Sequence, residues 1–317
     1  MPLLTVVIAT YNRCQLLPRV LSGLLDQKIN GDFDFEVLVV DNNSSDKTRQ
    51  AVELFMPSFN GKLRYLLEPQ KGKAFAVNRA VKEAKGDIFV FTDDDVVLDK
   101  DWLFNIVECF KQFDCDGLGG RILPGYPPET PLWIKENADL LLGPIVFYDY
   151  GEDVKPYQKP MFEFLGANYA FKKSLFEQYG CLHTHIGPGR GTLGEDTELV
   201  SRFLKAGKKL YYCGKAVVLH PVDKKRMNLS YIGCWFVGLG RYRFICDEQG
   251  KLDYSLVFWF GVPRYLIGQM AKNILNMMAN IFNKRKLLAA WIDLCLDWGK
   301  ATEMRKVYVH QHHHNHL

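Results

Sequence analysis

The chain is short of the features that mark secreted and membrane-spanning proteins. Its eight cysteines, Cys14, Cys109, Cys115, Cys181, Cys213, Cys234, Cys246 and Cys295, are scattered and form no C-x-x-C pair. In a chain of 317 residues this argues against a disulfide framework and reads as reduced core thiols in a cytosolic compartment. No apolar run reaches the roughly 20 uninterrupted residues a transmembrane helix needs. Met1-Pro2-Leu3-Leu4 leads straight into a strand-like run with no basic segment or cleavage site, so no secretory signal is expected. There is no glycine–lysine–serine/threonine phosphate loop, which removes the commonest nucleotide-phosphate cradle. Net charge is also scarce, +4, but unevenly spread: from Arg202 onward there are 19 Lys and Arg against 7 Asp and Glu. A basic, apolar C-terminal part suggests an anionic surface as partner, or an ordinary solvated basic face. What is abundant is apolar mass, 48% of residues, enough to bury a large α/β core and to exclude disorder.

The first hundred residues alternate strand and helix signals. Leu4–Ala9 is an apolar run that predicts a buried parallel strand, and Leu16, Leu17, Val20, Leu21, Leu24 and Leu25 recur at helical spacing. Phe35–Val40, Leu63–Leu67 and Ile88–Phe91 predict further strands, with helices over Asp46–Phe55 and Lys73–Ala84 between them. This order implies a parallel sheet with helices on both faces, whose ligands bind beyond the carboxyl ends of the strands. Polar clusters lie at those ends: Thr10-Tyr11-Asn12-Arg13, Asp41-Asn42-Asn43-Ser44, Glu68-Pro69-Gln70-Lys71-Gly72 and Asp93-Asp94-Asp95. Pro124–Pro160, rich in Pro, Gly and aromatics, reads as a long excursion. Phe164–Phe171 predicts a strand, Glu195–Ala206 a helix, and Leu210–Tyr212 and Val217–Leu219 two short strands. A boundary is expected near residue 225, where the chain turns aromatic, basic and helical.

The strongest local signal is Asp93-Asp94-Asp95. Like charges this close repel unless a cation compensates them, and oxygen ligands at a strand end suit Mg²⁺ or Mn²⁺ bridging to phosphate. A helix cap would need only one of these acids, and the helix expected near Lys100–Phe113 starts too far away.

Together with Thr5-Val6-Val7-Ile8-Ala9-Thr10-Tyr11-Asn12-Arg13, Val39-Val40-Asp41-Asn42-Asn43-Ser44-Ser45-Asp46, Phe91-Thr92-Asp93-Asp94-Asp95 and Gly194-Glu195-Asp196, this pattern resembles the family-2 inverting glycosyltransferases. Residues 3–222 carry the resemblance. It implies a GT-A-type, nucleotide-binding, mainly parallel sheet flanked by helices, with a C-terminal helical extension. Residues 1–225 would form the catalytic domain, 1–120 holding the nucleotide sugar and 121–225 the acceptor side and base. Residues 226–317 would be the extension. Thr10, Tyr11, Arg13, Asp41, Glu68, Lys73, Asn78, Asp93, Asp94 and Arg190 would line the donor pocket. Asp95, and His220 in relatives that use a histidine there, would hold the metal. Asp196 would be the general base, with Glu195 orienting it or the acceptor; direct displacement needs one base and no enzyme nucleophile. Several assignments have a plainer alternative: Asp41 as a turn residue, Lys73 as a solvated helix lysine, Arg190 as a surface loop residue, His220 as a buried structural histidine, and Glu195-Asp196 as a capped helix start. Many relatives have a second acid where this chain has Asn42, and an Arg where Val77 precedes Asn78.

The implied reaction is transfer from a UDP- or GDP-sugar to a glycan, lipid-linked or other hydroxyl acceptor, as in building cell-surface polysaccharide. A nucleotidyltransferase or a non-catalytic nucleotide-sugar binding module are the alternatives. The first lacks its basic glycine loop after the first strand, and the second would show a damaged acidic set. No nucleic-acid partner is expected, and oligomerisation is left open. Tyr254–Phe282 is strongly apolar with basic residues nearby, and reads as a helix or helix pair at the cytosolic face of a membrane, or as one packed on protein. The five histidines from His310 to His316 are assigned no role.

Overall fold

The computed structural model describes residues 1–158, 161, 164–187, 193–247 and 250–314. Four parallel strands, β1 (Leu3–Thr10), β2 (Asp34–Asp41), β3 (Leu63–Leu67) and β4 (Ile88–Asp93), are joined by helices α1 (Leu17–Leu25), α2 (Thr48–Phe55) and α3 (Lys73–Glu83). The apolar runs foreseen from the sequence are buried on both faces: Leu4, Val6, Val7 and Ile8 of β1, Val37–Val40 of β2, and Phe89 and Val90 of β4. Such runs need cover on each side of a sheet, and α3 supplies part of it over β1 and β2.

The chain continues through β5 (Val97–Leu98), α4 (Trp102–Gln112), β6 (Gly117–Gly125), α5 (Leu132–Glu136), β7 (Val154–Pro156), β8 (Asn168–Lys172), α6 (Lys173–Tyr179), α7 (Glu195–Lys205) and β9 (Leu210–Pro221). The sheet order is β3-β2-β1-β4-β8-β6-β9-β5, with β7 on β9. Beyond β4 the sheet is mixed: β8 runs antiparallel to β4 and β6, while β6 and β9 are parallel. Asn168 locks this half together. Its amide oxygen accepts from Trp102 Nε1 at 2.9 Å, and its nitrogen donates to the carbonyls of Arg121 (3.0 Å) and Ala216 (2.8 Å).

Three expectations change. The strand foreseen over Phe164–Phe171 begins only at Asn168, because the preceding donors are spent elsewhere: Asn168 N on Leu165 O and Gly166 N on Asp196. The two short strands foreseen at 210–212 and 217–219 are one, β9, with a register shift opposite Gly120/Arg121. Tyr254–Phe282, foreseen as a helix or helix pair, is a hairpin followed by one helix. Phe260 takes a left-handed φ of 54° at the hairpin tip.

Two compact units result. One comprises Met1–Glu129, Ile145–Gly189 and Glu195–Val222; the other is chiefly Asp223–Leu317 together with Thr130–Pro144. Thr130–Pro144 groups with the second unit. Arg285 ion-pairs with Asp139, and Gly143 leaves room for the Trp235 ring, which an added Cβ would meet at 2.0 Å. The second unit contains α8 (Leu229–Asp247), a hairpin of β10 (Phe258–Trp259) and β11 (Val262–Pro263), α9 (Arg264–Ala279) and α10 (Lys284–His314). No described helix is long and apolar enough to cross a membrane.

Candidate active site

Strand register brings the polar clusters to one edge: Thr10 stands opposite Asp41, and Ala9 opposite Asp93. Buried Asp41 accepts from Ser44 N at 2.9 Å through Oδ1 and from the Tyr65 hydroxyl at 2.7 Å through Oδ2. Burial and the Asp41 charge together raise the Tyr65 pKa, so this phenol remains a donor. Tyr11 is exposed. Asn12, with φ of 51°, ties the β1 and β2 loops together through Ser44 and Ser45.

Asn42 was seen from the sequence only as a missing acid, and the structure gives it a function an acid could not perform. Its Nδ2 donates to Gln70 O at 2.6 Å and Glu68 O at 3.3 Å, while Oδ1 accepts from Gly72 N at 2.7 Å. A carboxylate has no donor for those two carbonyls. Glu68 accepts from Gln70 N at 2.8 Å, so the loop before α3 is braced from within.

The three aspartates at the end of β4 have distinct surroundings. Asp94 is buried against Arg13 (2.9 Å); burial pushes its pKa up to about 6 against the pull of Arg13. Asp95 Oδ2 pairs with the same guanidinium at 2.7 Å, and Arg19 donates to the Asp95 carbonyl at 2.7 Å. Asp95 Oδ1 is buried, accepts no hydrogen bond, and lies 3.3 Å from His220 Nε2. Asp93 Oδ1 pairs with Lys73 Nζ at 2.8 Å, and its Oδ2 lies 3.9 Å from His220 Nε2.

His220 completes this group from β9. Its Nδ1 lies 3.1 Å from the Pro221 carbonyl, which can only accept, so the network assigns the ring proton to Nδ1. In the neutral ring Nε2 then turns a lone pair toward two carboxylates, a repulsion that a cation or an added proton between them would relieve. Asp93, Asp95 and His220 offer one ligand atom each, all within 4.8 Å of one another. A histidine whose other nitrogen is held by a backbone carbonyl is the usual form of a metal-ligating imidazole. The set fits a divalent cation.

A second cluster adjoins Lys73. Glu195 and Asp196 open α7. Asp196 Oδ2 accepts from Gly166 N at 2.8 Å and its Oδ1 from Thr197 N at 2.9 Å. A Cβ added at Gly166 would stand 3.2 Å from Asp196 Oδ2 and 3.3 Å from Lys73 Nζ. Burial works against the Lys73 charge, but Asp93, Glu195 and Asp196 outweigh it and raise its pKa. Burial, aided by the Asp196 charge and opposed by Lys73, pushes Glu195 from 4.5 up to about 8. A raised folded pKa contributes stability that is full below 4.5 and lost as pH rises through about 8. Glu195→Gln is therefore expected to raise the thermal midpoint at about pH 9 and leave it nearly unchanged at about pH 5. Equal shifts at both values would contradict the burial of this carboxyl in its protonated form.

Two of the expected donor residues stand apart from this description. Asn78 engages Leu182 at both ends of its amide, donating to O at 2.8 Å and accepting from N at 2.9 Å; it pins the segment after α6. Arg190 lies outside the described residues. Conversely, Gly166 was not foreseen. Only the missing side chain hints at it, and its partners come from α3 and α7, distant in sequence.

Comparison with known proteins places the fold and the family. The chain is 27% identical over 331 aligned positions to the O-antigen chain rhamnosyltransferase RfbN of Salmonella typhimurium, covering 96% of this chain and 95% of the relative. It is 31% identical over 130 positions, 38% of this chain, to the poly(ribitol-phosphate) beta-N-acetylglucosaminyltransferase TarS of Staphylococcus aureus, where 22% of the relative is covered. Among solved structures, the mannosyltransferase PcManGT from Pyrobaculum calidifontis in complex with GDP-Man and Mn²⁺ superposes with a TM-score of 0.57 at 20% identity. The match covers 98% of this chain and 74% of that one. S. aureus TarS 1-349 in complex with UDP gives 0.55 at 15% identity, covering 97% and 91%. These likenesses show the GT-A-type fold. The family model for glycosyl transferase family 2 matches residues 5–183, and the chain, a glycosyltransferase, belongs to that family.

Proposed function

We propose that the protein transfers a sugar from a nucleoside-diphosphate sugar to a hydroxyl acceptor with inversion, and that Mg²⁺ or Mn²⁺ bound by Asp93, Asp95 and His220 is required. The buried Asp95 Oδ1, without a hydrogen bond and facing His220 Nε2, carries this reading. Bound there, the ion would neutralise charge on the departing diphosphate. Arg13 holds Asp95 Oδ2, which turns Oδ1 inward. Thr10, Tyr11 and Asp41 line the nucleotide end; GDP-Man and UDP in the two structural neighbours support a donor of this kind. Asp196 takes the proton of the acceptor hydroxyl as that oxygen attacks the anomeric carbon. The bond to the diphosphate oxygen breaks on the opposite face, and the leaving group departs with the electron pair. Lys73, between Asp93 and Asp196, orients both. On this reading residues 1–120 hold the donor and 121–225 carry the base and the acceptor side. The acceptor is a glycan or lipid-linked hydroxyl of cell-surface polysaccharide, in keeping with the name of the Salmonella relative, met at the cytosolic face of a membrane that residues 254–282 touch peripherally.

The test is a panel of UDP- and GDP-sugars incubated with Mn²⁺, following release of nucleoside diphosphate. Turnover with one donor, lost in EDTA, is expected; undiminished turnover in EDTA rejects the metal requirement. Gly166→Ala inserts a methyl between Asp196 and Lys73. It should lower kcat by about a hundredfold, as displacement of a catalytic group by a fraction of an ångström does, with the donor KM held. A variant with normal kcat would show that the Gly166–Asp196 contact is irrelevant to the base.

A further inference from the structure

The second unit carries an apolar face that its own packing does not use. Helix α9 is anchored on one side: Leu266 is buried among Phe244, Leu252, Ala301 and Met304, and Asn273 Nδ2 donates to Asp297 Oδ2 of α10 at 2.9 Å. That fixes which side of the helix faces inward. The other side shows Ile274, Leu275 and Met278, the last two 64% and 67% exposed, followed by Ile281 and a fully exposed Phe282 (100%). Spacings of three and four place Ile274, Leu275 and Met278 along one outward stripe of the helix, and the turn after Ala279 adds exposed Ile281 and Phe282. At the opposite end of α9, the hairpin tip holds Phe260, 92% exposed. Sixteen residues of helix put roughly 24 Å between the two ends. Scattered exposed apolar residues are ordinary on a protein surface, but a contiguous stripe marks a partner.

Charge identifies the partner. From Tyr254 to Lys286 there is no Asp or Glu, while Arg264, Lys272, Lys284, Arg285 and Lys286 are present. Lys272, Lys284 and Lys286 are exposed around the stripe. A second copy laid on this face would set like charges against like; an anionic lipid surface would complement them. The helix cannot cross a bilayer, but an amphipathic helix with a basic rim can lie in its interface.

We infer that the outward stripe of α9 and the Phe260 tip form a docking face for an anionic membrane surface. It deepens the peripheral membrane contact included in the proposed function, yet does not depend on the transfer chemistry.

The test is flotation of the full chain with vesicles of phosphatidylcholine alone and of phosphatidylcholine mixed with phosphatidylglycerol. Binding is expected to the mixed vesicles and to be weakened, not abolished, by salt, since the apolar contribution is unscreened. The triple variant Leu275→Ser, Met278→Ser, Phe282→Ser alters only exposed side chains, so its circular dichroism and vesicle-free donor turnover should match the parent. Its partition should fall by at least about tenfold, given the apolar area removed. Lys272→Glu with Lys286→Glu should lose the preference for phosphatidylglycerol. Failure of the folded parent to float overturns the inference and leaves the transferase reading standing. So does a parent dimer that the serine variant dissolves without any vesicle binding, which would assign the face to a second copy.

Discussion

Asp95→Ala is expected to abolish sugar transfer, lowering turnover by at least about three powers of ten, while the folded state survives. Asp95 uses its two oxygens differently. Oδ2 is held by Arg13 at 2.7 Å, and Oδ1 lies buried 3.3 Å from His220 Nε2 with no hydrogen bond. Removing the side chain deletes an oxygen ligand outright and frees Arg13, which keeps Asp94 at 2.9 Å. Stability should change little, because a cluster of like charges loses one member. Mn²⁺ binding measured by calorimetry should weaken in parallel with turnover. Full activity in the variant, or undiminished Mn²⁺ affinity beside lost activity, would remove Asp95 from the metal set.

Asp196→Asn separates chemistry from binding. The amide keeps the shape and its one oxygen can still accept from Gly166 N, now at 2.8 Å, at the loss of the Thr197 N bond, but it cannot take the acceptor's proton. Turnover should fall by roughly two to four powers of ten while donor affinity stays nearly constant. Glu195 cannot easily substitute: it is buried, and its pKa is pushed up to about 8, so near neutrality it holds its proton. A collapse of donor affinity in Asp196→Asn would make Asp196 a donor-binding residue and place the base elsewhere.

The two variants probe clusters that Lys73 joins, and this junction was invisible in the sequence. There, Lys73 opens a helix and is expected to line the donor pocket, with a solvated lysine as the alternative; nothing ties it to Glu195 or Asp196. In the fold it pairs with Asp93 at 2.8 Å and feels Glu195 and Asp196, more than a hundred residues later in the chain.

Local signals determined much of this protein. Apolar runs separated by helical periodicity dictate β1 to β4 and their helices, because a parallel strand must bury both faces and each crossover needs a helix. Strand polarity then places Thr10, Asp41 and Asp93 at one edge whatever else the chain does. The charge pattern after Arg202 and the absence of a membrane-spanning run were equally plain. Tertiary structure alone decided the rest. The mixed half of the sheet, the grouping of Thr130–Pro144 with the second unit and the meeting of His220 with Asp93 and Asp95, which only the family resemblance anticipated, depend on contacts between residues far apart in the chain, which no local period encodes. The same holds for Asn42, whose amide fits two carbonyls from another loop, for Asn78, whose partner is Leu182, and for Gly166, defined by the side chain it lacks. Periodicity reports which residues must leave water; which polar groups then face one another is settled only when the elements pack.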